Sequence, residues 1–254
     1  MVTGPASRSP GILPALCRMS AALGLVLSVC SCGGTKPNLR LVPDASFTRA
    51  SLGQGHIAVA GVTSKLGSEI DRATVRNQLA GILAGTLEFE ITGLRVMSVD
   101  VARSRLGRVR HARLLADLEE TGGVSAAAIA QLDSTIGADV RYAVVARIET
   151  EEVERHEGTS TPTDYSTGKP DTDSGDEVER STKRILSVSF LVYELSNGRA
   201  VWEELIRGSD EDTATHSPDG KRTIYPPYPK VPKLEGAFDD ACRTLSMHLA
   251  KPPK

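Results

Sequence analysis

The chain has 254 residues, of which 40% are hydrophobic and 24% are charged, and its formal net charge at pH 7 is −2. A chain of this size and composition can bury one sizeable core, which excludes a collagen, a coiled coil and a polytopic membrane protein. The near-zero net charge argues against a dedicated nucleic-acid-binding protein, because those proteins show a strongly basic domain or patch. We therefore predict a folded protein that does not bind nucleic acid.

The amino terminus has the pattern of an export signal. Arg8 and Arg18 precede an apolar run over residues 21–29. A run of about nine residues is far shorter than the roughly 20 that a membrane-spanning helix needs, so it is typical of a signal peptide. A cysteine among small residues follows at once, in the segment Cys-Ser-Cys-Gly-Gly that begins at Cys30. This resembles the lipobox of bacterial lipoproteins, in which the thiol is diacylated and the preceding bond is cleaved.

Two cysteines are candidates for the lipid. Small Ser31 precedes Cys32, as the lipobox prefers, whereas bulky Val29 precedes Cys30. We predict lipidation at Cys32 and removal of residues 1–31. One alternative is lipidation at Cys30. The other alternative is that the cysteines are incidental residues of an ordinary secretory signal peptide. Several acyl chains would anchor the protein stably. Neither cysteine is followed by Asp, which in the lipoprotein sorting pattern favours the periplasmic face of the outer membrane.

The predicted mature chain divides into a tether and one domain. Residues 32–54 are rich in Gly, Pro, Ser and Thr and lack hydrophobic periodicity, which predicts a flexible tether. Residues 55–250 are predicted to form a single domain. Cys242 is the only cysteine in it, and no C-x-x-C pair is present, so we predict neither a metal site nor a cofactor.

Hydrophobic periodicity in this domain alternates between strand and helix patterns. The order β-α-β-α-α-β-β-β-α predicts an α/β fold, a three-layer-like sandwich in which helices pack on a mixed sheet of about five strands. In chain order we predict a strand at 56–63, a helix from Ser68, a strand at 94–101, a helix from about Gly107, a helix capped by Ser125, strands at 140–149, 185–195 and 200–207, and a closing helix over 238–249.

Five arginines lie between residues 103 and 113. Helical spacing places Arg110 and Arg113 on one face and the leucines that follow on another. We interpret the arginines as the solvated face of an amphipathic helix, with contact to a partner or an anionic surface as the alternative. Under that alternative, Arg108, Arg110 and Arg113 are the candidate binding residues.

Two segments interrupt the pattern. Residues 150–182 are acidic and almost free of apolar side chains, which predicts a disordered loop. Within that segment, residues 171–176 resemble a calcium loop only in part, because Thr182 stands where a bidentate acid is required. The second segment, 209–233, is proline-rich and predicts an extended spacer, with a partner-binding strip at Tyr225 and Tyr228 as the alternative.

Catalytic motifs are missing from the sequence. It contains no G-x-S-x-G elbow, Walker loop, H-E-x-x-H or dinucleotide fingerprint. Ser166 begins an S-x-x-K match, but it lies within the acidic segment and has no K-T-G partner. We therefore predict that the protein is not an enzyme.

Three segments resemble one loose group of bacterial envelope lipoproteins. They are H-I-A-V-A-G-V at 56–62, G-A-D-V-R-Y-A-V-V-A-R at 137–147 and the paired strands of 191–203 with their N-G turn and V-W. The group includes the curli-secretion lipoprotein, the penicillin-binding-protein activator lipoprotein B and the amino-terminal domain of TolB. The resemblance covers about 55–208 and the last helix, and it transfers no functional residue. It implies a periplasmic α/β domain that serves as an assembly or regulatory partner of envelope machinery.

The function that we predict is a non-enzymatic, lipid-anchored envelope protein that docks a protein partner. The docking surface is a sheet edge, the arginine helix face or the tyrosine-proline segment, and self-association is left open. A periplasmic hydrolase and a glycan- or peptidoglycan-binding module are the alternatives. A deep pocket with two carboxylates or a Ser/His pair would favour the hydrolase.

Overall fold

The computed structural model of the protein describes residue 40 and residues 47–66, 72–164, 166–171 and 174–251. Both candidate lipidation sites, Cys30 and Cys32, lie outside these residues. All described residues belong to one compact unit, Pro37–Lys254.

The described chain contains six helices and seven strands. The helices are α1 (Arg49–Gly53), α2 (Ala73–Glu90), α3 (Val99–Leu106), α4 (Arg108–Thr121), α5 (Ala126–Ile136) and α6 (Leu234–Ala250). The strands are β1 (His56–Ser64), β2 (Arg95–Met97), β3 (Val140–Ser160), β4 (Thr163–Asp164), β5 (Lys169–Pro170), β6 (Glu177–Glu194) and β7 (Arg199–His216).

Five strands form one mixed sheet in the order β2-β1-β3-β6-β7. The pairs of β1 with β2 and with β3 are parallel, whereas β3 with β6 and β6 with β7 are antiparallel. Strands β4 and β5 pair only with each other. The α/β class with helices packed on a mixed five-stranded sheet, as predicted from the sequence, is confirmed.

Helices cover both faces of this sheet. One core lies between the sheet and helices α2 and α6, and it includes Phe190, Trp202 and Phe238. The other lies between the sheet and helices α3, α4 and α5, and it includes Leu118 and Ile129. Covering both faces explains why β1 is a continuous apolar run and not an alternating one.

One predicted strand is partly a helix. Residues 94–101 contain the short strand β2, but α3 begins within them, directly after Ser98. Its buried residues Val99, Ala102 and Leu106 recur at helical spacing. The strand prediction was wrong there because a short segment with apolar residues at 94, 96, 97, 99 and 101 is compatible with either structure.

The predicted tether is also partly folded. Residues 49–53 form α1, whose N-cap Thr48 accepts a hydrogen bond from the Ser51 N–H. Phe47 is only 3% exposed, with its ring 5.3 Å from that of Tyr142. Flexibility was therefore predicted too far along the chain, because one buried aromatic side chain fixes this end of it to the core.

Residues 150–182 are not a disordered loop. β3 continues to Ser160 and β6 begins at Glu177, so most of this segment forms paired strands. The prediction was wrong because cross-strand ion pairs and a covering segment replace the apolar side chains whose absence suggested disorder.

The proline-rich spacer begins later than predicted. Residues 209–216 belong to β7, which pairs with β6 as far as His216. We call the extended part of β3, β6 and β7 (150–160, 177–187 and 207–216) the arm, and residues 217–233, which lead back to α6, the strap.

A β-bulge separates the arm from the rest of β3. Ile148 pairs with Val188 and Thr150 pairs with Ser187, so Glu149 is an extra residue without a partner in the ladder. Because strand side chains alternate between faces, this extra residue exchanges the faces of all β3 side chains in the arm.

Candidate functional site

Two regions of the described chain concentrate polar groups away from the two cores. One is the arm with its strap. The other is a cavity at the amino-terminal ends of β1, β2 and β3, which we call the edge pocket.

The strap covers one face of the arm. The Arg180 guanidinium donates to the Pro226 carbonyl at 2.6 Å, and the Thr182 hydroxyl donates to the Pro229 carbonyl at 3.0 Å. Thr182 is fully buried there. In β6 this is the face that, farther along, contributes Leu186 to the core under α6. The strap therefore covers the arm on the side where α6 covers the body.

Arg180 connects the strap to the arm. Its guanidinium pairs with the Glu157 carboxylate of β3 at 2.6 Å and lies over the rings of Tyr225 and Tyr228, at 5.2 and 4.7 Å from the ring centroids. Arg155 also lies over Tyr228. The two tyrosines proposed as binding residues are thus engaged with the arm, although 53% and 37% of their surfaces stay exposed.

The opposite face of the arm is open and charged. The Arg207 guanidinium donates to the Glu152 carboxylate at 2.7 Å, across β6, and both side chains are more than half exposed. Lys183 lies 4.0 Å from Glu211. Among the described residues, the side-chain ion pairs of this open face are made within the arm.

Both edges of the arm have backbone groups that no strand of the described chain pairs, although the Ser209 N–H donates to Asp240. Beyond Ile148, β3 pairs only with β6 in the described chain, and β7 has no strand on its other side. Unpaired N–H and C=O groups of an edge strand can accept another strand. The arm carries nine acidic side chains and five side chains of lysine or arginine, so it has an acidic excess.

The arginine face of α4 lies elsewhere. Arg108, Arg110 and Arg113 are exposed, as the helical spacing predicts. They stand on the helix layer opposite to that of α6 and the strap. The structure therefore does not bring these arginines together with Tyr225 and Tyr228.

His111, on the same helix, is buried. Its Nε2 lies 2.8 Å from the Ala60 carbonyl, so we assign the proton to Nε2 as a donor. Burial lowers the pKa of His111, against the effect of this hydrogen bond, and the charge of Arg103 lowers it further. This histidine supports packing and is not presented to a ligand.

The edge pocket has a volume of about 660 Å³, and polar or charged side chains belong to seven of its ten lining residues. His56 stands at the start of β1, Arg95 at the start of β2, and Asp139 directly before β3. Asp133 of α5 and Arg141 of β3 also line it. Parallel strands bring their amino ends to one edge of the sheet, so residues distant in sequence meet here.

His56 is held between two partners. Its Nδ1 lies 2.9 Å from the Asp139 carboxylate and its Nε2 lies 3.4 Å from Nη1 of Arg95. Because a guanidinium only donates, we assign the proton to Nδ1 and the lone pair to Nε2. A histidine oriented by a carboxylate is also found in hydrolases, but no hydroxyl in the described chain is hydrogen-bonded to His56.

The sequence patterns do not predict this pocket. Its charged residues come from four different elements. Residues that are in contact in the pocket are far apart in the sequence; His56 and Asp139, for example, are separated by 83 positions. The available signal was that His56, Arg95 and Asp139 each stand at or directly before the start of a predicted strand. Within the described residues, no group of three or more His, Cys, Asp or Glu could hold a metal ion.

In the part of the chain that the structure describes, no helix has the length and apolar character to cross a membrane.

No protein family model matches the chain, and no curated protein matches it.

Three solved structures show low similarity to the chain. A PelC variant dodecamer from Paraburkholderia phytofirmans is 15% identical, covering 83% of this chain and 94% of that chain, with a TM-score of 0.34. A PelC dodecamer from the same organism is 14% identical, covering 76% and 88%, with a TM-score of 0.31. The hypothetical protein CT253 from Chlamydia trachomatis is 13% identical, covering 61% and 72%, with a TM-score of 0.30. At these values the similarities carry no argument about this chain.

Proposed function

We propose that this protein is a non-enzymatic docking protein of the bacterial envelope, lipid-anchored through Cys32, whose arm binds a protein partner. The observation that carries the docking proposal is the arm itself. The strands that extend into it, β3, β6 and β7, are 21, 18 and 18 residues long, whereas strands of globular proteins are typically about 5–6 residues long. The envelope location and the anchor rest on the signal and lipobox pattern at residues 1–32.

The arm is costly to maintain for stability alone. Eleven residues of β3, at about 3.3 Å each, extend roughly 36 Å beyond the bulge. They contribute no buried apolar side chain, because every described side chain from Thr150 to Ser160 is exposed or half-buried. An element that adds little to the core and presents free backbone groups is suited to binding by strand addition.

Charge limits the partner. The acidic excess of the arm repels other acidic surfaces and discourages unspecific edge-to-edge pairing. It favours a partner with a basic strand or a basic groove. We therefore propose a basic protein surface as the partner's binding site.

The hydrolase alternative has less support. The edge pocket supplies two carboxylates, Asp133 and Asp139, and a histidine. The His56 Nε2, which would have to act as a base, faces the Arg95 guanidinium. We place this pocket outside the proposed docking function.

Site-specific photocrosslinking in cells tests the docking proposal. Benzoylphenylalanine is introduced at Thr159 and Thr213 on the two edge strands of the arm, and at Val109 on α4 and Met247 on α6 as matched exposed positions. We expect both arm positions to capture the same envelope protein, and Met247 to capture none. Capture from Val109 alone would contradict the proposal and favour the arginine face.

Charge reversal sharpens this experiment. Glu154→Lys combined with Glu211→Lys should abolish the arm adduct, because the open face then repels a basic partner. Glu120→Lys, an exposed acid on α4, is the control and should leave the adduct unchanged. An adduct that survives reversal of the arm charges would contradict the proposed basic partner.

The anchor has its own test. Cys32→Ser should release the protein from the membrane fraction, whereas Cys30→Ser should not. Mass spectrometry of the amino-terminal peptide should show an acylated cysteine at position 32. Membrane retention of the Cys32→Ser protein would contradict the predicted anchor without affecting the proposal for the arm.

A further inference from the structure

The edge pocket has the size of a ligand site and an unusual balance of charge. Its volume of about 660 Å³ falls within the roughly 300–1,000 Å³ of small-molecule sites. Among its ten lining residues, only Gly55, Ala138 and Val140 have no polar side chain. A hydrophilic ligand suits this lining better than an apolar one.

Two of the charged lining residues, Asp139 and Arg141, already have partners. The Asp139 carboxylate accepts from His56. The Arg141 guanidinium donates from Nε and Nη2 to one oxygen of Glu194, at 3.1 and 2.9 Å, and Asn197 donates to the other oxygen at 2.6 Å. These groups shape the wall of the pocket and are oriented by contacts within the chain.

Two lining residues of opposite charge, Arg95 and Asp133, can still bind a ligand. Arg95 is exposed, and its guanidinium, with five N–H donors, has one described contact, the 3.4 Å approach to His56. Asp133 is exposed and makes no hydrogen bond or ion pair with any described residue. Among the charged residues that line the pocket, the Arg95 guanidinium and the Asp133 carboxylate are therefore the two that are least engaged by the described chain.

This pair selects against a ligand of single charge. An anion bound to Arg95 would lie in the same cavity as Asp133, and a cation bound to Asp133 would lie in the same cavity as Arg95. A ligand with both a carboxylate and an ammonium group complements both residues. A carboxylate also matches the two parallel donors of a guanidinium.

We infer that the edge pocket binds a small zwitterion, an amino acid or a short peptide with free termini, with its carboxylate on Arg95 and its ammonium on Asp133. The pocket is larger than a single small amino acid requires, which leaves room for a peptide. The inference is independent of the arm and of the proposed docking function.

Calorimetry with blocked ligands tests the inference on the full-length chain. The probes are L-alanyl-L-alanine, its N-acetyl derivative and its carboxyl-terminal amide, which share a backbone and differ in one charge each. We expect the free dipeptide to bind and each blocked form to bind at least about tenfold more weakly, because each leaves one charged partner unpaired. L-alanine and L-alanyl-L-alanyl-L-alanine distinguish an amino acid site from a peptide site.

Two variants assign the ends of the ligand. Arg95→Gln should remove the preference for the free acid over the amide, and Asp133→Asn should remove the preference for the free amine over the N-acetyl form. Each variant should keep the other preference, which a merely misfolded protein would not do. Arg72→Gln and Glu120→Gln, exposed and near the opposite end of the strands, are the controls and should keep both preferences.

The outcomes decide between ligand classes. Equal affinity for all three dipeptide forms, binding of a blocked form alone, or no binding of any free amino acid or peptide would overturn the inference. Loss of both preferences in a single variant would overturn the assigned orientation.

Discussion

The body and the arm are parts of one sheet, but they are stabilised by different interactions. In the body, apolar side chains on both faces of the sheet are buried by helices. In the arm, ion pairs such as Arg180 with Glu157, together with the strap, replace the apolar core. Burial is worth roughly 1.5–3 kcal/mol for a large apolar side chain, whereas an exposed ion pair contributes about 0–1 kcal/mol. We therefore expect the arm to open or change without unfolding of the body.

The largest effect on stability should come from truncating a buried aromatic side chain in the body. Phe190 is fully buried, with its ring 6.2 Å from that of Phe238. Phe190→Ala leaves a cavity and should lower the free energy of unfolding by about 3–5 kcal/mol. Urea unfolding followed by the fluorescence of Trp202, the single tryptophan, measures it.

Phe89 provides the matched control. It is 85% exposed, so Phe89→Ala should change the free energy of unfolding by less than about 0.5 kcal/mol. Similar effects of the two substitutions would contradict the placement of the core.

The next effect concerns the boundary of the arm. A Cβ on Gly208 would lie 2.6 Å from the Ala241 amide nitrogen and would also meet the Ala237 carbonyl, so α6 touches the β7 backbone here. Gly208→Ala should lower the free energy of unfolding by about 1–3 kcal/mol. Chemical denaturation checks this value.

Gly158, within the arm, is the comparison for Gly208. A Cβ there meets nothing within 4 Å, so Gly158→Ala should not destabilise the protein. A destabilisation equal to that of Gly208→Ala would show that the arm is packed as tightly as the body.

A smaller, local effect should follow removal of the link between strap and arm. Arg180→Ala deletes the hydrogen bond to Pro226, the pair with Glu157 and the contacts to both tyrosines. We expect amide hydrogen exchange in the strap to accelerate about tenfold, with little change in global unfolding.

Arg207→Ala, on the open face, is the control for this experiment and should leave exchange in the strap unchanged. Global unfolding of the Arg180→Ala protein at a much lower urea concentration would contradict the independence of the two regions.

The smallest predicted effect is a dependence on pH in the body. Burial lowers the pKa of His111, so in acid the unfolded state binds a proton more readily than the folded state. Stability should therefore fall as pH decreases below the unfolded value of about 6.5, toward the lowered folded value. His111→Gln should reduce this slope in urea unfolding measured at several pH values, and a slope equal to that of the wild type would contradict the assignment.

The body was predictable because its elements carry the usual periodic signals. The closing helix shows this clearly, since Phe238, Ala241, Cys242, Leu245 and Leu249 recur at helical spacing and are all buried. Ser125 was identified as a cap, and its hydroxyl accepts from the Ala128 N–H. Where the apolar period was short, as at Val99, helix and strand were not distinguishable.

The arm was not predictable for a physical reason. Its β3 and β7 strands have no apolar face, and the arm is stabilised by residues far along the chain, as Arg155 is by Tyr228. A local reading of composition therefore predicts disorder. The edge pocket was hidden for a related reason, because Arg95 and Asp133 are brought to one cavity only by the strand order of the sheet.

The extra residue Glu149 has a consequence for the orientation of the whole arm. With the bulge present, Arg155 and Glu157 face the tyrosines, and Glu154 and His156 face outward. Deleting this one position would exchange the two sets, so that Glu154 would be brought toward Tyr228 and Arg155 would be turned to solvent. The number of residues at the bulge thus determines which charged side chains face a partner. An insertion or deletion there would alter recognition without changing any side chain of the arm.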